Sequence, residues 1–548
     1  MVKITFPGYE RVLGPGHSMP EKIYTLPELV SYPYKLNLAD YMIGSYAKKN
    51  PNKVAMYFKD QKITYREFFV MINRFANGLR SLGLKEYDRV MLMGPNRPEW
   101  LISMFAVLKI GAIPVLVNHL VKSDEIEFRY EDAEASAIIC NISCLSEVEK
   151  ANVPGLMKIV YGNKDEKGYV SYEKLIETAS DNCQAAETTL DHIERIIYSS
   201  GTTGRPKGGV ATVRDALSVV DTHARYVLKI REGDIIGGHP NFSFAFGVAS
   251  FTLYPWRFGA SLSIIERFDP EEMFLTIKEH GVTMLACVPT AFNLMLSSKN
   301  NHEEDVKSLR LCQSAGEPLS ATTYREWKNR YGTGILDSMG SGDLLYWLSA
   351  FEGMPEEKVG SVGTLVPGVE NIIVDENFQE VHRGTSGELL VRGPAGLMFW
   401  KRPDKQEGAV YKGWNRPGIY ATQDEDGYFW YLSRTDDIIV TSGYKIPCWE
   451  VECAINDHHS VMESVAIPTP DSIRGNVIKA LVVLKEGYEP SGKLENEIKD
   501  HVKSKLEDYK YPRKIVFVRS EDLPRTNTDK IQRSVLRQRE MELAEKQS

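Results

Sequence analysis

The sequence predicts an α/β fold with largely parallel sheets, and three observations lead there. Runs with the two-residue period of a strand alternate with runs of helical period through the first part of the chain, the pattern that lays helices against a mostly parallel sheet. The 548 residues exceed what one hydrophobic core sustains, about 250–300 residues, so two or more cores are needed. Hydrophobic residues at 43% and charged residues at 26% are the proportions of an ordinary soluble globular protein.

After a polar opening containing Pro and Gly, residues 38–47 show helical spacing. Segments 54–58 and 61–65 alternate as a hairpin, and 65–82 is an amphipathic helix that Gly83 stops. A strand at 89–93, a helix at 98–110, a strand at 113–117, a helix at 123–132 and a strand at 137–140 continue the alternation. Further on, 193–198 reads as a strand, 214–228 as a helix, and 282–288 and 387–393 as strands. Val451 and Glu452 open a helix, 464–467 and 477–484 are strands, 494–506 is a helix and 515–518 a strand, which together make a small α/β unit. Residues 534–548 form a charged tail, read as a frayed helix.

The formal charge of −8 and the lack of any Lys/Arg block argue against a nucleic-acid partner. Seven cysteines, an odd number scattered along a long chain, suggest reduced thiols and a cytoplasmic protein. Cys140 and Cys144 have no second pair at ligand spacing, so no zinc site is expected there. The start lacks the apolar run of a signal peptide, and the most apolar stretch, 100–117, is broken by Lys109, Gly111 and Pro114. A buried helix running into a strand accounts for it better than a membrane span.

The chemistry centres on Tyr198-Ser199-Ser200-Gly201-Thr202-Thr203-Gly204-Arg205-Pro206-Lys207-Gly208-Gly209-Val210. Its glycines let backbone N–H groups approach a phosphate closely, its hydroxyls donate, and Lys207 adds positive charge. Pro206 before the lysine and Gly208 after it separate this string from the GxxxxGK[ST] loop. Composition alone would equally describe a polar surface loop. As a string it resembles the phosphate-binding signature of the adenylate-forming superfamily, which includes acyl- and aryl-CoA ligases, luciferase and peptide-synthetase adenylation domains. Within that superfamily the chain is most similar to benzoate- and 2-aminobenzoate-CoA ligases, through Ser314–Leu319 (SAGEPL), 424–431 (DEDGYFWY) and the Phe-Gly segment 242–247.

The resemblance covers nearly the whole chain and implies an acyl-CoA synthetase-like fold, with a large N-terminal domain of helix-wrapped sheets at 1–433 and a small mobile C-terminal α/β domain at 434–548. It implies ATP, Mg²⁺ and coenzyme A as reactants, with a small-molecule carboxylic acid as substrate, and it allows a homodimer. ATP and AMP would be held by Ser199, Ser200, Gly201, Thr202, Thr203, Gly204, Lys207, Gly316, Glu317, Asp337, Met339, Gly340 and Arg434. Met339 takes the position that stacks on adenine. Phe242, Phe246, Gly247 and the 339–344 region, including Leu344, would line the acyl pocket; the three Phe at 242, 244 and 246 read equally well as one face of a strand. Asp436 matches the domain hinge, Gly443 the edge of the coenzyme A tunnel, and Lys530 the catalytic lysine of adenylation. His239 is expected to be structural.

Five positions depart from the superfamily pattern. Gly342-Asp343 stands where relatives have Thr-Glu; Asp343 still offers oxygen to a hard cation, one methylene shorter. Phe244 replaces a histidine found in some members, which removes an acid–base role. Asp529 takes the place of glycine beside Lys530. Ile419 occupies the position of the aspartate that accepts hydrogen bonds from both ribose hydroxyls, each bond worth about 1.5–3 kcal/mol when one partner is charged. Two alternatives to a ligase therefore remain open: a non-adenylating relative that keeps the fold for binding, and a stand-alone adenylation enzyme that loads a carrier protein.

Overall fold

The helix expected over 65–82 forms as Tyr65–Ser81, and the sequence explains both ends. Thr64 Oγ1 accepts from Glu67 N at 3.2 Å, while the Glu67 carboxylate accepts from Thr64 N at 2.8 Å, a reciprocal cap. Past the last turn, Gly83 takes φ +90°, a left-handed conformation that costs glycine least. Phe68, Ile72, Phe75 and Leu79 are buried at helical spacing, and Phe68 meets Phe105 of the helix Pro98–Lys109 edge-on at 6.1 Å.

The computed structural model describes residues 10–13, 17–162, 168–199, 206–341, 345–441, 444–471, 475–507, 509–525 and 531–547. These divide into two units: one built from residues up to 199, 207–371 and 390–416, the other from 372–389 and residues from 417 onward, with 206. The division expected at 433/434 falls inside the second unit.

Two large sheets organise the first unit. One runs Val170–Ser171, Met157–Tyr161, Ala135–Asn141, Arg89–Met93, Ile113–Val117, Ile193–Ser199, Lys207–Thr212; every neighbour is parallel except the last pair. The other runs Thr364–Leu365, Leu345–Ser349, Ile335–Ser341, Leu311–Ala315, Met284–Ala286, Ile235–Gly238, Ser261–Ile264, Val54–Phe58, Gln61–Thr64. It is parallel from Ile335–Ser341 to Val54–Phe58 and antiparallel at both edges. One core packs under the first sheet around Met91, Ile138, Ile196 and Val210. Another packs under the second around Phe274, Leu285, Phe292 and Trp327.

Three sequence expectations change. Lys207–Val210, expected as the end of the glycine-rich loop, belong to the strand Lys207–Thr212, which its glycines, poor strand formers, do not announce. Gly208 is needed there because a Cβ would come within 3.0 Å of Ile196 Cγ2 and 3.2 Å of Trp400 Cβ. The helix expected from 214 begins at Val213, capped reciprocally by Thr212 and Asp215, and widens to a π-helix over Val220–Val227. The strand expected over 282–288 contracts to Met284–Ala286, because Pro289 opens a helix.

In the second unit, Val461–Asp471 and Gly475–Leu484 pair antiparallel, and Lys514–Phe517 adds a parallel third strand. Helices Cys448–Asn456 and Gly492–Lys505 cover one face through Val451, Ile455, Leu494, Ile498 and Val502. The other face receives Leu523 and Leu536, the latter from the final helix Arg533–Gln547. All seven cysteines are free thiols. Among the described residues no helix is long and apolar enough to cross a membrane.

A buried ion pair ties the N-terminal segment to this framework. Lys22 Nζ lies 2.5 Å from Asp215 Oδ1, with the side chains 1% and 3% exposed. Removing one partner of such a pair leaves an uncompensated buried charge, at a cost of about 3–5 kcal/mol. Lys22→Met should therefore lose roughly that much stability in urea unfolding at pH 7. A loss below about 1 kcal/mol would mean the pair is solvated in solution.

Candidate active site

The phosphate-loop candidates sit at the end of a parallel strand. Ile193–Ser199 lies parallel to Ile113–Val117, then pairs antiparallel with Lys207–Thr212, so that Ser199 and Lys207 face one another and close the connection 200–206. Trp400 braces the second strand: its N–H donates to Gly208 O at 2.7 Å and its indole Nε1 donates to Asp132 O at 2.9 Å. Lys207 Nζ lies over the Phe399 ring, 4.0 Å from its centre. Ser200, Gly201, Thr202, Thr203 and Gly204 lie outside the described residues.

The Phe-Gly segment is not a strand. Asn241 Oδ1 accepts from Ser243 N at 3.0 Å, and the chain turns into the helical segments Ala245–Gly247, Val248–Leu253 and Tyr254–Phe258. Gly247 is demanded by this turn, since a Cβ there would sit 2.0 Å from Asn241 O. Phe242 is buried against Trp100 and Phe251, whereas Phe246 meets Tyr346 edge-on. His239 packs on Phe268 at 4.7 Å, and burial draws its pKa down to about 4.

The adenosine candidates follow two neighbouring parallel strands. The register Ser314↔Asp337 and Ala315↔Ser338 brings the ends of Leu311–Ala315 and Ile335–Ser341 side by side, so Gly316 and Met339 follow together. Gly316 has φ +90°, and among the described residues a Cβ built on it would meet Val288 Cγ1, at 3.9 Å. The flank is open to a planar group. Glu317 is half-buried and accepts from Thr290 Oγ1 at 2.8 Å. Met339 is half-buried and Gly340 exposed, with a bulge between them against Leu345–Ser349. Asp343 and Leu344 lie outside the described residues.

Asp337 is buried, and burial pushes its carboxyl up to about 7 despite a hydrogen bond from Leu319 N at 3.4 Å. Between about pH 4 and 7 the folded protein keeps a proton that the unfolded chain has lost, so this group subtracts stability as pH rises through that window. Asp337→Asn should gain stability relative to the wild type between pH 4.5 and 7.5 in paired denaturation curves. A constant offset across the same range would contradict the buried acid.

In the second unit, Ile419 is buried and pairs in register with Arg434, across the hairpin formed by Trp414–Gln423 and Phe429–Arg434. Gly418 beside it has φ +73°, and a Cβ there would lie 3.7 Å from Arg434 Nη2. The departure from the family pattern and the predicted ribose arginine are thus cross-strand neighbours. Nearby Asp424 spends its carboxylate on Tyr428 N and Trp430 Nε1, at 2.9 and 3.0 Å. The turn Thr435–Asp437 contains the hinge candidate Asp436. Its neighbour Asp437 accepts from Arg533 Nη1 at 2.7 Å, and Arg533 also grips buried Glu452 at 2.7 and 2.8 Å. Gly443, Asp529 and Lys530 lie outside the described residues.

Sequence reading missed His223 and Tyr346. His223 is fully buried, bonded to Tyr254 Oη at 2.9 Å and to Ser338 and Ser349 at 3.2 and 3.3 Å. Isolated in the sequence, neither residue carries a motif that would have flagged it.

The description "AMP-binding enzyme" fits residues 45–399, and that of the AMP-binding enzyme C-terminal domain fits 450–530. The chain belongs to the AMP-binding enzyme family. It is 33% identical to the benzoate–CoA ligase of Thauera aromatica over 93% of this chain and 97% of that one. It is 33% identical to the acetyl-coenzyme A synthetase of Bacillus subtilis over 93% and 91%. Its fold matches an anthranilate CoA ligase solved with anthranoyl-AMP, at TM-score 0.85 and 31% identity, covering 93% of this chain and 98% of that one. A benzoate CoA ligase from Burkholderia xenovorans matches at TM-score 0.82 and 30% identity, covering 92% and 100%.

Proposed function

We propose that this protein is an AMP-forming acid–CoA ligase that activates an aromatic carboxylic acid through an acyl-adenylate. The observation that carries the reading is similarity over more than nine-tenths of the chain, spanning both family regions, to proteins named as CoA ligases and synthetases. In the first half-reaction the carboxylate attacks the α-phosphorus of ATP and pyrophosphate leaves. A weak anionic nucleophile meets an anionic electrophile, so the protein must position both and neutralise charge. Lys530 would bridge carboxylate and α-phosphate, while the 199–207 segment holds the outer phosphates and Met339 and Gly316 flank adenine. The open flank of Gly316 supports a planar base there. Mg²⁺ would accompany ATP, with Asp343 as a carboxylate donor of the hard-oxygen type that cation takes. In the second half-reaction the 434–548 region would turn at Asp436 and bring Gly443 beside coenzyme A, whose thiol displaces AMP.

Ile419 and its neighbours favour one rival, a chain that binds without adenylating. Mass spectrometry of a mixture with Mg·ATP, coenzyme A and substituted benzoates separates the two. The ligase should form acyl-CoA and AMP together, and Lys530→Ala should abolish both. If no acid yields AMP at millimolar ATP, the binding-only reading stands.

Two restored hydrogen bonds to the ribose also set the size of a second effect. Ile419→Asp should lower the KM for ATP by about a hundredfold or more, with thermal melting run alongside as a folding control. An unchanged KM in a folded variant would remove residue 419 from the ribose contact.

A further inference from the structure

Asn241, which opens the Phe-Gly segment taken above as a wall of the acid pocket, is held from outside by a histidine. The strand Ile235–Gly238 leads into an Asx turn, in which Asn241 Oδ1 accepts from Ser243 N at 3.0 Å and from Ser243 Oγ. The Asn241 carbonyl accepts from Phe244 N at 3.1 Å and lies against Gly247, where it leaves no room for a Cβ. Asn96 clamps the flanks, accepting from Phe242 N at 2.9 Å and donating to Pro240 O at 3.0 Å. The amide nitrogen of Asn241 donates to His119 Nδ1 at 3.2 Å. Among the described residues, His119 is the one partner that the Asn241 side chain has outside its own segment.

His119 comes from the other large sheet. It follows the strand Ile113–Val117 on a second Asx turn, in which Asn118 Oδ1 accepts from Leu120 N at 2.7 Å; its own carbonyl accepts from the Cys144 thiol at 3.9 Å. The direction of its bond with Asn241 is fixed. Because Asn241 Oδ1 is committed to Ser243, the amide presents its NH₂ to the ring, so Nδ1 is an unprotonated acceptor and the ring proton sits on Nε2. A proton on Nδ1 would set two donors face to face. The amide could turn over to offer Oδ1, but Ser243 would then lose its acceptor and the turn its anchor. Either way the segment carrying Phe242, Phe246 and Gly247 loses a hydrogen bond that shapes it. Burial draws the His119 pKa below the ordinary value of about 6.5, and among the described residues no charged group acts on it. The Cys144 thiol in contact with its backbone is pushed up by burial and stays uncharged.

We propose that His119 is a positioning residue for the acid pocket: neutral, it holds Asn241 and keeps the Phe-Gly segment in its binding shape, and protonated, it releases that segment. The proposal rests on the ligase reading for the place of the acid beside Phe246. The test is calorimetric titration of the full chain from pH 8 to pH 5 with benzoate, the three hydroxybenzoates and 2-aminobenzoate. Mg²⁺ and a non-hydrolysable ATP analogue are present throughout. The acid that binds best at pH 8 should lose about tenfold in affinity over that range. His119→Asn, whose Oδ1 stands in for Nδ1 and takes no proton, should bind as the wild type does at pH 8 and keep that affinity at pH 5. His119→Leu, which has no acceptor, should bind about tenfold more weakly at both ends.

Every other titration of protein and ligand is common to the wild type and His119→Asn, so the difference between their profiles belongs to residue 119. Identical profiles, a His119→Leu protein that binds like the wild type at pH 8, or binding by none of the acids would overturn the proposal. A readout on the wild type alone decides even where a variant does not fold. If protons weaken acid binding, the acid must lower the titration of the histidine responsible. NMR spectra of ¹⁵N-histidine-labelled protein should therefore show one histidine in the Nε2–H form at pH 8 whose protonation moves to lower pH when the acid is bound; no such shift would contradict the proposal. AMP release with the same acids reports separately on the ligase reading. His119-dependent binding without AMP keeps the positioning role and removes the ligase, while AMP release with identical profiles does the reverse.

Discussion

Parallel strand pairing is the constraint on which the first unit depends. Because neighbouring strands run the same way, their carboxyl ends emerge on one edge of a sheet, and ligands of open α/β sheets bind outside those ends. Leu311–Ala315, Ile335–Ser341 and Ile235–Gly238 share a sheet in parallel register; the first and third lead into candidate segments at 316–319 and 239–247, and the second carries the start of 339–344 on its own last residues. Ile193–Ser199 does the same from the other large sheet. Were one of these registers to slip by a residue, Gly316 would no longer follow beside Met339, and every alternate side chain would change face.

Charge is managed around this framework by pairing or by neutrality. Lys22 with Asp215 and Arg195 with Glu194 are buried pairs, the second on the strand that leads into the phosphate segment. Deeper in, burial pushes polar groups without an ionic partner toward the uncharged form: it keeps His223 neutral and raises the Asp337 carboxyl. A low-dielectric interior strengthens any charge interaction formed there. A site that brings together a carboxylate and a triphosphate gains from such surroundings provided that its own groups do not compete.

Much of the framework was legible because local signals agreed with the fold. The cap Thr64–Glu67, the stop at Gly83 and the strands Arg89–Met93 and Ile113–Val117 follow from spacing alone. Lys207–Thr212 was not legible, since its glycines answer to packing against Ile196 and Trp400 rather than to strand propensity. The alternating phenylalanines of 242–246 mimic a strand, yet a contact with Asn241 O that only glycine permits at 247 forces a turn instead. Among site residues, those in continuous motifs were named from the sequence. Tyr346 escaped because it lies far from Phe246 in the chain, and only the folding of the sheet brings the two rings together.

The central claim is that this chain, with isoleucine at the ribose position, still joins an acid to AMP. Oxygen transfer tests it most directly. With the turned-over acid labelled at both carboxyl oxygens with ¹⁸O, attack on the α-phosphorus followed by thiol displacement leaves one labelled oxygen on AMP and one in the acyl-CoA. Mass spectra showing that single label in AMP are the predicted result. AMP formed without label, or label confined to the free acid, would contradict the account.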